Sequence, residues 1–252
     1  MRDHDLLTLD PDKPLQVRET PKYLQGVSIA SISAPGPYDP AANTYYNVSP
    51  LSGYTPAQAE SFLREYNDGI LKVLNAHEAV PGHYVQLIYA NKSPSRIKSI
   101  FGNGAMIEGW AVYSERMMLE SGYGGASDPK TGPELWLLYS KWNLRVVCNT
   151  ILDYGVHVLG MSEDEALKLL TREAFQSETE ARGKWRRVQL SQVQLTSYFA
   201  GYSAIWDYRE KLKAELGDRF DLKRFHEAFL SYGSSPVSII KTLMRPEDAA
   251  KP

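Results

Sequence analysis

The stretch His77-Glu78-Ala79-Val80-Pro81-Gly82-His83 puts two imidazoles and a carboxylate within seven residues. Imidazole nitrogen is a common zinc ligand, and a carboxylate beside it is placed to act as a general base toward water. A further carboxylate, Glu108, follows His83 by 25 residues and opens Glu108-Gly-Trp-Ala-Val-Tyr-Ser-Glu115. Together these residue types are the kit for metal-assisted hydrolysis: three ligands that leave one coordination position open, and a base for the attacking water.

The spacing decides whether they can meet. In the pattern HExxH the two histidines lie one helical turn apart and share a face. His77 and His83 are i and i+6 instead, so at about 100° per residue their rings would point roughly 120° apart on a regular helix. Pro81 has no N–H and clashes with the carbonyl of His77, while Gly82 accepts backbone angles that other residues avoid. The dipeptide therefore predicts a bulge or break that returns His83 to the side of His77. Glu108 and Glu115, seven apart, project from one face of the helix expected over 105–121. This assigns His77, His83 and Glu108 as ligands of Zn²⁺, Glu78 as general base, and Glu115 to support of the ligands. Two helix-end histidines with a solvated Glu78 would be the plainer reading. It leaves the Pro-Gly insertion, and a glutamate on an otherwise apolar helix, without a reason.

The shorter expansion HExxGH occurs in the dipeptidyl peptidase III family, and the 25-residue separation between second histidine and glutamate resembles that of the thimet oligopeptidase and neurolysin family. The strings NAHEAVPGHYVQL, EGWAVYSERMMLE and FHEAFLSYGSSPVSII resemble the bacterial family catalogued as domain of unknown function 885 over nearly the whole chain. Its members carry HExxPGH and EGWAxYxE and are grouped with zincin peptidases of the gluzincin type. Members are usually longer, so the chain resembles their C-terminal, motif-bearing half. The resemblance implies a zincin-like fold and a zinc-dependent hydrolase. Tyr198-Phe-Ala-Gly-Tyr202 is similar to the tyrosine- and glycine-rich segment of the thimet oligopeptidase family, where a tyrosine stabilises the oxyanion, a donor role that the chemistry requires. Tyr198 and Tyr202 stand equally for that role, and equally for amphipathic core positions four residues apart. Arg145, Asp153 and His157 resemble an Arg and Asp-x-Gly-x-His run of the family. They are expected to hold a substrate carboxylate or to tie down groups around the ligands, against the commoner reading of a His beside an Asp as a satisfied structural pair, and His157 is kept outside the metal site.

The elements expected to position these groups are mainly helical, an α+β arrangement with a small N-terminal sheet. Residues 1–14 read as a loosely held lead-in. Residues 15–50 read as a small β region. Val17 to Ser33 suggests one strand through Val27, Ile29 and Ile32, and Thr44 to Ser49 suggests a second. Helices follow over 55–252: from Thr55, a cap followed by Pro56, into the His77 motif with an interruption near Asp68-Gly69, then over 95–101, 105–121 and 133–159. Further helices are expected from a Ser162/Glu165 capping box to about Phe175, and over 178–190, 195–216, 221–232 and 235–244 with Pro236 at the first position of the last. A strand ahead of the zinc helix is the zincin arrangement in which an edge strand pairs with a peptide substrate. One domain over 1–252 is expected.

Composition bounds the rest. With 252 residues, 43% hydrophobic and 23% charged, the chain reads as an ordinary soluble globular protein. A net charge of −2 gives no reason to expect nucleic acid, and no run of 18 apolar residues predicts membrane insertion. The compartment is open between cytoplasm and, for a chain separated from a secretory N-terminal half, periplasm. Cys148 sits among Val146, Val147 and Ile151 and reads as a buried thiol. His226, in Phe225-His-Glu-Ala-Phe229, reads as part of a capped surface helix, and His4 as solvated. The expected partner is a peptide or small amide substrate. Two other functions compete: a catalytically inactive zinc-containing peptide-binding protein, which has no need of Glu78, and a metal-dependent amidase or esterase acting on non-peptide substrates.

Overall fold

The computed structural model describes residues 4–9, 15–25, 28–39, 42–93 and 95–252. In chain order it contains β1 (Leu15–Glu19), β2 (Ala30–Ser33), β3 (Thr44–Val48), α1 (Pro56–Glu65), α2 (Asp68–Glu78), α3 (His83–Asn91), α4 (Arg96–Ile100), α5 (Gly104–Glu120) and α6 (Gly132–Leu159). It continues with α7 (Glu163–Lys168), α8 (Glu178–Leu190), α9 (Gln194–Leu216), α10 (Leu222–Ser231) and α11 (Val237–Leu243). The protein is mainly helical with a small N-terminal sheet, as its sequence pattern predicts.

The residues divide into two compact units. Unit 1 comprises Met1–Pro50, Asn75–Glu115 and Gly201–Pro252, and unit 2 comprises Leu51–Leu74 and Arg116–Ala200. In unit 1 the sheet runs in the order β1-β3-β2, with β1 parallel to β3 in the register Leu15↔Thr44 and β2 antiparallel to it in the register Ala30↔Val48. The single strand expected over Val17 to Ser33 is two strands. Pro21 cannot donate to a ladder, so pairing ends with the bond from Thr20 N to Val48 O, and the chain turns through Lys22–Leu24 before β2 starts at Ala30. Val27, expected in that strand, lies outside the described residues.

The lead-in also departs from expectation. Residues 1–3 and 10–14 lie outside the described residues, but 4–9 are held firmly. Leu6 and Leu7 are each only 5% exposed. The Leu6 carbonyl accepts from His226 Nδ1 at 2.8 Å, and the Thr8 carbonyl accepts from the Tyr89 hydroxyl at 2.9 Å. Two adjacent leucines supply the apolar area that ties a short polar segment down. His4 is exposed, as expected.

The other half of that contact overturns the surface reading of His226. On α10, Phe225, His226 and Phe229 share the face that packs inward, and His226 is completely buried. Its ring lies edge-on to Trp110 at 5.6 Å, and Trp110 stacks on Phe229 at 6.0 Å. These aromatic groups form the centre of unit 1.

Unit 2 is built on α6, which Gly160 ends with a left-handed φ of 71°. Its core joins Cys148, Leu152, Ala166, Leu170, Ala181, Val188 and Leu195, and the Cys148 thiol is buried as expected. The capping boxes at Thr55/Gln58 and Ser162/Glu165 both form. After α7 the chain widens into a π-turn over Leu169–Glu173. Pro236 is the N-cap of α11 rather than its first helical residue, with ψ of 137°.

Candidate metal centre

The distortion that the i, i+6 spacing demands is present. α2 ends at Glu78, α3 begins at His83, and Ala79 to Gly82 are non-helical between them. The Gly82 N–H reaches back to the Ala76 carbonyl at 3.0 Å, two residues farther than in an α-helix, and the Val80–Pro81 peptide is cis. The fold back is so tight that a Cβ on Gly82 would lie 1.7 Å from the His77 carbonyl oxygen. Only glycine fits there. The turn is also held from α5: the buried Trp110 indole donates from Nε1 to the Pro81 carbonyl at 2.9 Å.

As a result the His77 and His83 rings lie 4.8 Å apart, nearly perpendicular. Glu108 Oε2 is 3.4 Å from His83 Nε2 and 3.8 Å from His77 Nε2. One donor atom from each of the three residues falls within 4.8 Å of the others. Ligands about 2.1 Å from a shared tetrahedral centre are about 3.4 Å from one another, so this donor set fits a zinc ion.

Behind His77, Nδ1 donates to Glu115 Oε1 at 2.6 Å, and Glu115 is fully buried. That bond fixes the tautomer and leaves Nε2 to face Glu108 and His83. Burial alone would lower the His77 pKa. The Glu115 hydrogen bond and charge, joined by Glu78 and Glu108, overcome burial and raise it to about 9. Glu78 shifts upward from the usual carboxylate range, because burial outweighs the opposing charges of His77 and His83 and is reinforced by Glu108 and Glu115.

α5 reaches this position by close backbone packing on α9. A Cβ on Gly109 would meet the Gly201 Cα at 2.5 Å and the Tyr202 nitrogen at 2.7 Å, and a Cβ on Gly201 would meet the Ala105 carbonyl oxygen at 1.7 Å. The two glycines thus set Tyr202 against the residue next to Glu108. Tyr202 is buried, with its ring 6.1 Å from Trp206.

The remaining expected site residues belong to unit 2. The Tyr198 hydroxyl accepts from Arg187 Nη2 at 3.0 Å and from Gln194 Nε2 at 3.3 Å. Arg145 donates to the Tyr66 hydroxyl at 2.7 Å and to Glu180 at 2.5 Å. Asp153 caps α9 by accepting from Val193 N at 3.0 Å and Thr196 N at 2.9 Å. His157 Nε2 donates to the Val188 and Ser191 carbonyls at 2.9 and 2.8 Å. Asp153 and His157 therefore fasten the ends of α8 and α9 to α6.

Sequence reasoning missed Trp110, Gly109, Gly201 and His226. The signal for the first three was the Glu-Gly-Trp and Ala-Gly-Tyr strings themselves, since a glycine in mid-helix marks a close approach.

The chain is similar to two solved structures. One, from Shewanella oneidensis, is described as a "putative lipoprotein of unknown function"; it is 62% identical, with a TM-score of 0.85 over 96% of this chain and 42% of that chain. The other, from Colwellia psychrerythraea, is 24% identical and shares the fold with a TM-score of 0.80 over 94% of this chain and 38% of that one. The chain thus spans less than half the length of these relatives. Among curated proteins nothing matches it. The model of the family described as "Bacterial protein of unknown function (DUF885)" matches residues 1–244, and the chain belongs to that family.

Proposed function

We propose that the chain is the metal-bearing part of a zinc-dependent hydrolase, a metallopeptidase cutting peptide or small amide bonds. The observation that carries this reading is the convergence of His77, His83 and Glu108 around one point with Glu78 beside them. His77 Nε2, His83 Nε2 and Glu108 would hold the ion. Bound zinc supplies a Lewis acid and water with its pKa lowered to about 7.

The chain's own residues supply the rest. Glu78 takes the proton from the attacking water and delivers it to the leaving amine. Its upward-shifted pKa brings it closer to neutrality, where a general base works best. Glu115 holds His77 in the tautomer that presents Nε2. Tyr202, whose backbone nitrogen packs against Gly109 beside Glu108, would donate a hydrogen bond from its hydroxyl to the developing oxyanion. An intact Glu78 favours hydrolysis over passive peptide binding, because a purely structural site has no use for a base.

Metal analysis of protein purified without chelator, followed by a peptide-library digest, tests the reading. About one zinc per chain, with cleavage that stops on chelation, is expected. Zinc that stays stoichiometric in the His77→Ala, His83→Ala double variant would sink the assignment.

A further inference from the structure

Unit 2 holds a second group of charges that the metal centre does not use. Glu180, Lys184 and Arg187 occupy positions i, i+4 and i+7 of α8 and so share one face, the face that meets α6. Lys184 is 6% exposed, and its neighbours Ala181 and Val188 on that face are core residues. Arg145 of α6 adds a third cation. Its guanidinium is committed to Tyr66 and Glu180 and stacks 4.7 Å from the Trp142 ring centre.

The group is not neutral. Arg145 has Glu180 as its carboxylate partner, and nearby Glu65 is paired with Lys141 at 2.9 Å. Among the described residues neither Lys184 nor Arg187 has a carboxylate within 4.0 Å, although the two lie three residues apart on one helix. Arg187 is oriented by neutral groups, the Tyr198 hydroxyl and Gln194 Oε1, and these engage Nη2. Burial comes first, and the like charges of Arg145 and Arg187 second, in driving the Lys184 ammonium well below its ordinary pKa, against the weaker opposing pull of Glu180. A buried lysine flanked by two arginines is costly, because desolvation and like-charge repulsion both act against its charged form. An anion between Lys184 and Arg187 reverses both effects.

We infer that Lys184 and Arg187 form an oxyanion-binding site in unit 2, for a carboxylate or phosphate group, with Arg145 reinforcing the field behind them. With Nη2 held by Tyr198 and Gln194, Arg187 keeps Nε and Nη1 as donors for an anion, and Lys184 contributes a point charge to a further contact. Tyr198 acts as a positioning residue that fixes the guanidinium through Nη2. The site stands independently of the metal reading, since none of its residues belongs to the zinc cluster.

Calorimetric titration of the full chain with inorganic phosphate, and separately with succinate, in a low-salt buffer tests it. Saturable binding of at least one is expected, weakened about tenfold by Lys184→Met and by Arg187→Gln, because each removes one charge-assisted contact. Thermal melts of both variants check folding, and Lys184→Met should melt no lower than wild type without anion, since it removes a buried amine that forms no ion pair among the described residues. Phosphate binding alone identifies a phosphate site, succinate binding alone a carboxylate site, and mutual competition a general oxyanion site. No saturable heat from either anion in the wild-type chain, or equal affinity in both variants, overturns the inference.

Discussion

At His77 a proton and the proposed zinc ion would compete for one nitrogen. With Nδ1 bonded to Glu115, Nε2 faces Glu108 and His83, and in the absence of a cation the surrounding carboxylates hold a proton there up to a pH of about 9. Zinc must displace that proton, so affinity should rise with pH across the neutral range. Glu115→Gln keeps an acceptor for Nδ1 but removes the charge, and zinc affinity should fall about 10- to 100-fold with little change in fold. Competition against a fluorescent zinc chelator measures it, and unchanged affinity would assign Glu115 to packing alone. Glu78→Gln should retain zinc and lose hydrolysis, measured as turnover and metal content on one sample. Loss of metal would make Glu78 a ligand instead of a base. The meeting of His77, His83 and Glu108 was legible because it depends on residue type and spacing, both of which a sequence displays. His226 was not. Its burial depends on Leu6, 220 positions away, and on the Tyr113 hydroxyl, neither of which its helical neighbours reveal.

Among the elements, the break between α2 and α3 carries the most information. It was legible because Pro81 and Gly82 each have a local reason to disrupt a helix. The sequence could not show that Gly82 is pressed against the His77 carbonyl, or that the Trp110 indole holds the turn from a separate helix. Gly82→Ala should therefore open the turn, move His83 and weaken zinc by about tenfold or more, as read by the same competition assay. Wild-type affinity in that variant would mean that the turn does not set the ligand geometry. A second prediction belongs to the α5–α9 crossing. A methyl group on Gly201 cannot coexist with the Ala105 carbonyl at 1.7 Å, so Gly201→Ala should destabilise the chain by about 1–3 kcal/mol, measured as a lowered urea midpoint. Helix ends were read well wherever a side chain caps them, as at Ser162 and Asp221. The N-terminal segment was misread because its order comes from distant partners, not from local periodicity.

At the scale of the whole molecule, two buried histidines shifted in opposite directions should shape stability against pH. His226 is held neutral: burial, with the charge of Arg209, outweighs the Leu6 carbonyl and lowers its pKa to about 4. The unfolded chain takes up that proton near 6.5, so the contribution of His226 is present above 6.5 and is lost as pH falls toward 4. His77 without metal is shifted upward to about 9, so its contribution is present below 6.5 and is lost as pH rises toward 9. Each limb amounts to about 3 kcal/mol from 2.5 pH units at 1.36 kcal/mol per unit. Chelator-treated protein should thus be most stable near pH 6.5, with His226→Gln flattening the acid limb and His77→Gln the alkaline limb in urea titrations across that range. Zinc should selectively raise the alkaline limb, because it binds the neutral imidazole that high pH supplies and stabilises the folded chain by mass action, about 4 kcal/mol at a thousandfold excess over Kd. An alkaline limb that responds to zinc equally in wild type and in His77→Gln would separate this linkage from the metal site and leave His77 a structural residue.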